Sequence, residues 1–129
     1  MTTTMPTRVL LVEDDTLTRR NTAIYLRRAQ IEVDEAANGE EALQLINSVD
    51  QYDIIISDLR MPGYCDGMDV ISRQQQVSPG TSCILVTAFG SAQVQRRAQD
   101  LDVTYLEKPI SLADLLSKVT AASAARNQP

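Results

Sequence analysis

The 129-residue chain contains no histidine. That absence excludes Ser-His-Asp and Cys-His nucleophilic catalysis, imidazole-ligated zinc, and any phosphohistidine carried by the chain itself. Cysteine is nearly absent too. Cys65 and Cys83 are too few and too far apart for a zinc cluster, and they read as free thiols of a reducing compartment. No apolar run approaches the roughly 18 residues that a membrane-spanning helix needs. The opening residues, Met1-Thr2-Thr3-Thr4-Met5-Pro6, have neither the basic nor the apolar region of a secretory leader, so a cytoplasmic location is expected. Positive charge is in deficit, with 12 Lys and Arg against 17 Asp and Glu and a formal net charge of −5. Such a balance argues against direct nucleic-acid binding and against docking on anionic membranes.

What remains is an ordinary globular composition, 43% hydrophobic and 22% charged, long enough for one domain with a core of its own. Arg8-Val9-Leu10-Leu11-Val12 is a short apolar run that reads as a buried strand. Thr16 to Ala29 lacks proline and glycine and reads as a helix, with Ile24, Tyr25, Leu26 and Ala29 as its apolar side. Ile31 to Ala36 alternates like an edge strand. Asn38 is placed to cap a helix that carries Glu40 and Glu41 in its first turn. Asp53-Ile54-Ile55-Ile56-Ser57-Asp58 has the continuous apolar character of a central parallel strand. A loop through Met61-Pro62-Gly63-Tyr64-Cys65-Asp66-Gly67 precedes a helix over Met68–Val77, stopped by Ser78-Pro79-Gly80. Cys83–Ala88 and Val103–Glu107 complete the strands. A polar helix over Ser91–Asp100, anchored by Val94, Ala98 and Leu101, lies between them. Ser111-Leu112-Ala113-Asp114 resembles a capping box that opens a last amphipathic helix.

Five strands alternating with five helices predict an α/β fold, a doubly wound five-stranded parallel sheet with helices on both faces. Residues 8–120 form the expected domain. Residues 1–7 are expected to be disordered, and 121–129 to fray as a tail or the start of a linker.

Ligands of such sheets bind beyond the carboxyl ends of the strands, so the residues there carry the chemistry. Glu13 and Asp14 follow the first strand, Asp58 ends the third, Thr87 belongs to the fourth, and Lys108-Pro109 follows the fifth. Carboxylates placed together repel unless a cation joins them. With oxygen donors alone the fitting cation is hard: Mg²⁺, with Mn²⁺ as a substitute. A hard cation, an ammonium and a hydroxyl around a carboxylate suit phosphoryl transfer, with Asp58 as nucleophile and an acyl phosphate as product.

Four pieces, Val12-Glu13-Asp14-Asp15, Ser57-Asp58-Leu59-Arg60-Met61-Pro62, Val86-Thr87-Ala88 and Glu107-Lys108-Pro109, stand in the order and spacing of a known family. From about Arg8 to Val119 the chain resembles a two-component response regulator receiver domain. The resemblance implies a flavodoxin-like fold with strand order 2-1-3-4-5. It also implies that Asp58 is the phosphoacceptor, that Glu13, Asp14, Asp58 and the backbone carbonyl of Arg60 hold Mg²⁺, and that Thr87 and Lys108 bind the phosphoryl oxygens. Thr87 and Tyr105 would be the switch residues, and Lys108-Pro109 a cis peptide. The implied partner is a sensor histidine kinase or a histidine phosphotransfer protein. A homodimer through the fourth helix, fifth strand and fifth helix is a further expectation, without direct contact to nucleic acid or membrane. The implied role is a signalling switch, not an enzyme in its own right, though with Mg²⁺-dependent self-phosphorylation and dephosphorylation chemistry.

Family members usually carry Met-Pro-x-x-Asp-Gly, whereas Met61 to Gly67 is one residue longer, by Tyr64 or Cys65. Single residues also have plainer readings. Asp15 suits a helix start, Tyr105 serves equally as packing, and Cys65 and Cys83 read as inert thiols. The alternative function is an aspartyl-phosphate phosphatase of the haloacid dehalogenase type. It is disfavoured because Arg60 stands where that family places its acid-base aspartate. A nucleotide- or flavin-binding domain is disfavoured because no Gly-x-x-x-x-Gly-Lys-[Ser/Thr] loop exists.

Overall fold

A computed structural model describes residues 6–48, 51–88 and 90–126. Five parallel strands run in the order β2-β1-β3-β4-β5. They are β1 (Arg8–Val12), β2 (Glu32–Ala36), β3 (Ile54–Asp58), β4 (Ser82–Thr87) and β5 (Thr104–Glu107). The helices are α1 (Thr16–Arg28), α2 (Gly39–Ser48), α3 (Gly67–Val77), α4 (Ala92–Asp100) and α5 (Leu112–Arg126). The strand order is the one that the family resemblance implies.

The strongest apolar runs take the inner places, where both faces are covered. Ile54, Ile55 and Ile56 of β3 are all buried. Strand pleating sends alternate residues to opposite faces. Val9, Leu11, Ile54, Ile56, Ile84 and Val86 pack on one side against Ala23 and Leu26 of α1 and Leu115 and Val119 of α5. Leu10, Val12 and Ile55 pack on the other side against Ala42 and Ile46 of α2 and Val70 of α3. Cys83 and Leu85 extend that second layer toward Met68 and Ile71 of α3 and Ala98 of α4. Val94 and Leu101 flank it, the sparse anchoring expected for α4.

Side-chain caps set the helix starts. The Asp15 carboxylate accepts from the Thr18 amide at 2.9 Å. Asn38 Oδ1 accepts from Glu41 N at 2.8 Å, while the Glu41 carboxylate accepts from Ala37 N at 3.0 Å. Asp66 and Asp69 form a reciprocal capping box at α3. Ser111 Oγ accepts from Asp114 N at 3.0 Å at the start of α5.

Three expectations need correction. Of the apolar side expected for the first helix, Ile24 is 46% exposed and Ala29 is exposed just past the helix end, because the buried face of α1 runs through Thr22, Ala23 and Leu26. The expected fraying from Ala121 does not occur, since α5 continues to Arg126. Alanine is the strongest helix former, and Ala122 packs against the core beside Leu116. Thr7, expected in a disordered lead, is tied down. Its carbonyl accepts from Glu32 N at 2.9 Å, and its hydroxyl meets Ser123 Oγ at 2.6 Å. Residues 1–5 and 127–129, the rest of the two expected flexible ends, lie outside the described residues.

Candidate active site at the carboxyl edge of the sheet

Parallel register brings the ends of β1, β3, β4 and β5 to one edge. Val12 is opposite Ser57, Asp58 opposite Val86, and Thr87 opposite Glu107. Carboxylate oxygens of Glu13, Asp14 and Asp58 lie within 4.8 Å of one another there. Lys108, just past β5, bridges two of them. Its Nζ donates to Glu13 Oε1 and to Asp58 Oδ2, each at 2.8 Å. The Lys108–Pro109 peptide is cis. Lys108 N also donates to the Thr87 carbonyl at 2.9 Å, which locks the lysine's backbone to the end of β4.

Burial raises the Glu13 carboxyl above its ordinary value; the Lys108 hydrogen bond opposes this, and the Asp58 and Asp14 carboxylates reinforce it. Burial alone would lower the Lys108 ammonium, but hydrogen bonds to Asp58 and Glu13 outweigh it and the net shift is upward. Three carboxylates against one ammonium leave negative charge uncompensated within the cluster. All the donors in it are oxygens. That donor set and that charge fit a hard divalent cation.

Thr87 is fully buried at the end of β4. Tyr105, on β5, is half-buried against the Cys83, Leu85 and Ala98 cluster. Its hydroxyl donates to Glu107 Oε1 at 3.5 Å, an oxygen that also accepts from Gln95 Nε2 of α4 at 3.2 Å. Arg60 sits in the loop after β3, two residues beyond Asp58. That loop is drawn tight, with Gly67 N donating to Leu59 O at 2.8 Å. An open cleft of about 400 Å³ runs from Asp58 and Lys108 past Thr18, Thr22, Leu112 and Leu115, between α1 and α5.

A family profile for the response regulator receiver domain matches residues 9–120. The chain belongs to that family. Among curated relatives of this receiver domain, the transcriptional regulatory protein PdtaR of Mycobacterium tuberculosis is 35% identical over 122 residues, covering 92% of the chain and 57% of the relative. The transcriptional regulatory protein ResD of Bacillus subtilis is 36% identical over 124 residues, covering 94% of the chain and 50% of the relative. The chain therefore spans about half the length of these relatives. Among solved structures, a CheY-like receiver domain protein from Methanospirillum hungatei JF-1 superimposes with a TM-score of 0.89 at 25% identity, covering 95% of the chain and 97% of the other. The receiver domain of a putative Luxo repressor from Vibrio parahaemolyticus gives 0.85 at 29% identity, over 95% and 93% of the two chains. Receiver domains are the phosphoacceptor switches of response regulators and work with sensor kinases. The haloacid dehalogenase alternative finds no support in fold or relatives.

Several residues around the site escaped the sequence reading. A Cβ on Gly67 would fall 2.1 Å from the Asp58 carbonyl oxygen, so only glycine lets the start of α3 lie against the end of β3. The Asp-Gly pair ahead of an apolar helix was the available signal. The added loop residue is accommodated by docking on α2. Cys65 sits where a Cβ on Gly39 would be, and Tyr64 N donates to Glu40 Oε1 at 3.2 Å. Tyr64 itself is left fully exposed. Burial raises the Cys65 thiol and pushes the Cys83 thiol up to about 12, which suits inert thiols. The chain of contacts from Arg27 through Glu35 and Arg19 to the Glu13 carbonyl had no local signature in sequence.

Proposed function

We propose that this receiver domain accepts a phosphoryl group on Asp58 from the phosphohistidine of a sensor kinase or phosphotransfer protein, and that it does so with Mg²⁺. The observation that carries the reading is Lys108 Nζ bridging Asp58 and Glu13 inside the cluster of three carboxylates. Glu13, Asp14, Asp58 and the Arg60 carbonyl would hold the metal, which when bound supplies positive charge against the phosphoryl oxygens. An Asp58 oxygen attacks phosphorus, the phosphorus–nitrogen bond of the donor breaks, and the donor imidazole keeps the electron pair. The product is an acyl phosphate, with the phosphoryl group replacing Asp58 as the partner of Lys108. Small phosphodonors would serve in place of a kinase, since the chain's own residues supply the nucleophile and the charge; hydrolysis of the acyl phosphate would reset the switch.

Thr87 would donate its hydroxyl to a phosphoryl oxygen, and Tyr105 would follow the movement of β4. The altered surface, made by α4, β5 and α5, would then engage a second copy of the chain or an output segment. The domain would run from Thr7, bonded to Ser123, through the whole of α5 to Arg126. The relatives PdtaR and ResD are transcriptional regulatory proteins of about twice its length. An output carried elsewhere, not nucleic-acid binding by this acidic domain, is the proposed division of labour, and its place is the cytoplasm.

Intact-mass spectrometry after incubation with acetyl phosphate and Mg²⁺ tests the reading. One added phosphoryl group is expected, with none for Asp58→Asn and none in EDTA. Undiminished labelling of Asp58→Asn would overturn the assignment.

A further inference from the structure

Glu13 is held by more than Lys108. Its amide donates to Ala36 O of β2 at 3.0 Å. Its carbonyl accepts from Arg19 Nη1 of α1 at 2.9 Å. Its second carboxylate oxygen accepts from Asp15 N at 3.5 Å. Arg19 is itself held: its Nε lies 3.4 Å from Glu35 Oε1, and its side chain is only 12% exposed. Glu35, on β2 opposite Leu11, is gripped in turn by Arg27 Nη1 at 3.1 Å, while Arg27 Nη2 donates to Val33 O at 2.7 Å. A continuous relay therefore runs from the backbone of β2 through Arg27, Glu35 and Arg19 to the carbonyl of Glu13.

That carbonyl belongs to the same planar unit as the Asp14 amide. Fixing the oxygen fixes the plane, and the plane sets the direction in which Asp14 leaves the backbone. Asp14 is exposed and is flanked by two residues whose groups are all anchored. We propose that Arg19 is a positioning residue for the acidic site: held by Glu35, it clamps the Glu13–Asp14 peptide so that Asp14 presents its carboxylate beside Asp58. The proposal rests on the metal-dependent reading above. Arginine suits the task because its rigid fork serves acceptors on two different elements at once, which an ammonium does not.

Charge and positioning predict opposite signs. By Coulomb's law alone, removing a cation near a cation site strengthens Mg²⁺ binding. Loss of a positioning group around a metal site weakens it, by about tenfold or more. Mg²⁺ titrations of the full chain, followed by amide resonances in two-dimensional NMR, separate the two. Dispersed spectra and melts in EDTA first confirm that each variant is folded. Arg19→Gln is expected to bind Mg²⁺ about tenfold more weakly than wild type. Arg19→Lys, which keeps the charge and loses the fork, should also be weakened, and it stands in if the glutamine variant fails to fold. Arg19→Gln combined with Glu35→Gln should be no weaker than Arg19→Gln alone, because both act through one clamp. Pure charge effects would instead cancel in that pair and restore wild-type affinity. Equal or tighter binding by Arg19→Gln, or wild-type binding by Arg19→Lys, overturns the proposal and leaves the phosphoacceptor reading standing. A wild-type chain that shows no Mg²⁺ response removes that reading and this proposal with it.

Discussion

Gly90 and Tyr105 share a space that only one side chain can fill. A Cβ at position 90 would lie 1.4 Å from the Tyr105 hydroxyl oxygen and 2.7 Å from Cζ. The tip of a residue on β5 is thereby seated on the loop that follows Thr87. Gly90→Ala must push the ring elsewhere, at a rotamer cost of about 1 kcal/mol, against a backbone gain of about 0.4–1 kcal/mol from losing a glycine. Stability should hardly move, but the Tyr105 ring resonances should shift in a spectrum of tyrosine-labelled protein while those of Tyr52 stay. An unmoved Tyr105 in Gly90→Ala contradicts the seating.

Thr87 lies between the site and that seat. Thr87→Ala leaves Asp58, the acidic pair and Lys108 in place, so on the proposed function acetyl phosphate should still label Asp58. Amide shifts over residues 91–106 on adding beryllofluoride, a phosphoryl mimic, should be much smaller than in wild type, because a shift in population needs a contact that distinguishes the two states. α4, with Ala98 as its buried residue, should otherwise move cheaply. A full wild-type response over 91–106 would leave Tyr105 as packing alone.

Opposite partners of one ion pair should change stability in opposite directions. Asp58→Asn keeps an oxygen for Lys108 and reduces the carboxylates from three to two. In EDTA it should melt at or above wild type, even though phosphorylation is lost. Lys108→Gln leaves the three carboxylates without their ammonium and should melt several degrees lower. Mg²⁺ should raise the wild-type melting temperature by mass action and should do little for Asp58→Asn. An Asp58→Asn variant that melts well below wild type in EDTA would show that the Lys108 bridge outweighs carboxylate repulsion.

Tyr52 should govern part of the alkaline limit. It is 1% exposed, donates to Asp34 Oδ2 at 2.7 Å, and has Arg8 over its ring at 5.5 Å. Burial first, then the hydrogen bond to Asp34 and that group's negative charge, raise the phenol well above its usual value, with Arg8 opposing. The folded state therefore keeps this proton where the unfolded chain releases it. The contribution is complete below pH about 10 and then falls by up to about 1.4 kcal/mol per pH unit. Tyr52→Phe should lose about 1–2 kcal/mol near pH 7 with the hydrogen bond. Melts from pH 8 to 11.5 should show the gap to wild type closing above pH 10. A constant gap across that range would exclude Tyr52 as the cause.

The sequence by itself determined the elements and which charged side chains stand at the strand ends. Val9–Val12 and Ile54–Ile56 declare buried strands through their own side chains, and Asp15, Asn38, Asp66 and Ser111 cap helices within three residues of themselves. Such signals are local, so they survive in a linear reading. Carboxylates at two strand ends and a lysine after a third then imply their meeting, once parallel topology is inferred. Tertiary structure alone decided how they meet. Lys108 reaches Glu13 across 95 positions of chain, and its choice of two carboxylates depends on the register of four strands. The exposure of Ile24 depended on which arc of α1 faces the sheet, and the persistence of α5 to Arg126 on Ala122 packing against the core and Ser123 meeting Thr7. Arg19 with Glu35, and Tyr105 with Gly90, carry no local signature for the same reason. Each pairing joins groups on separate elements, and only packing fixes the distance between them.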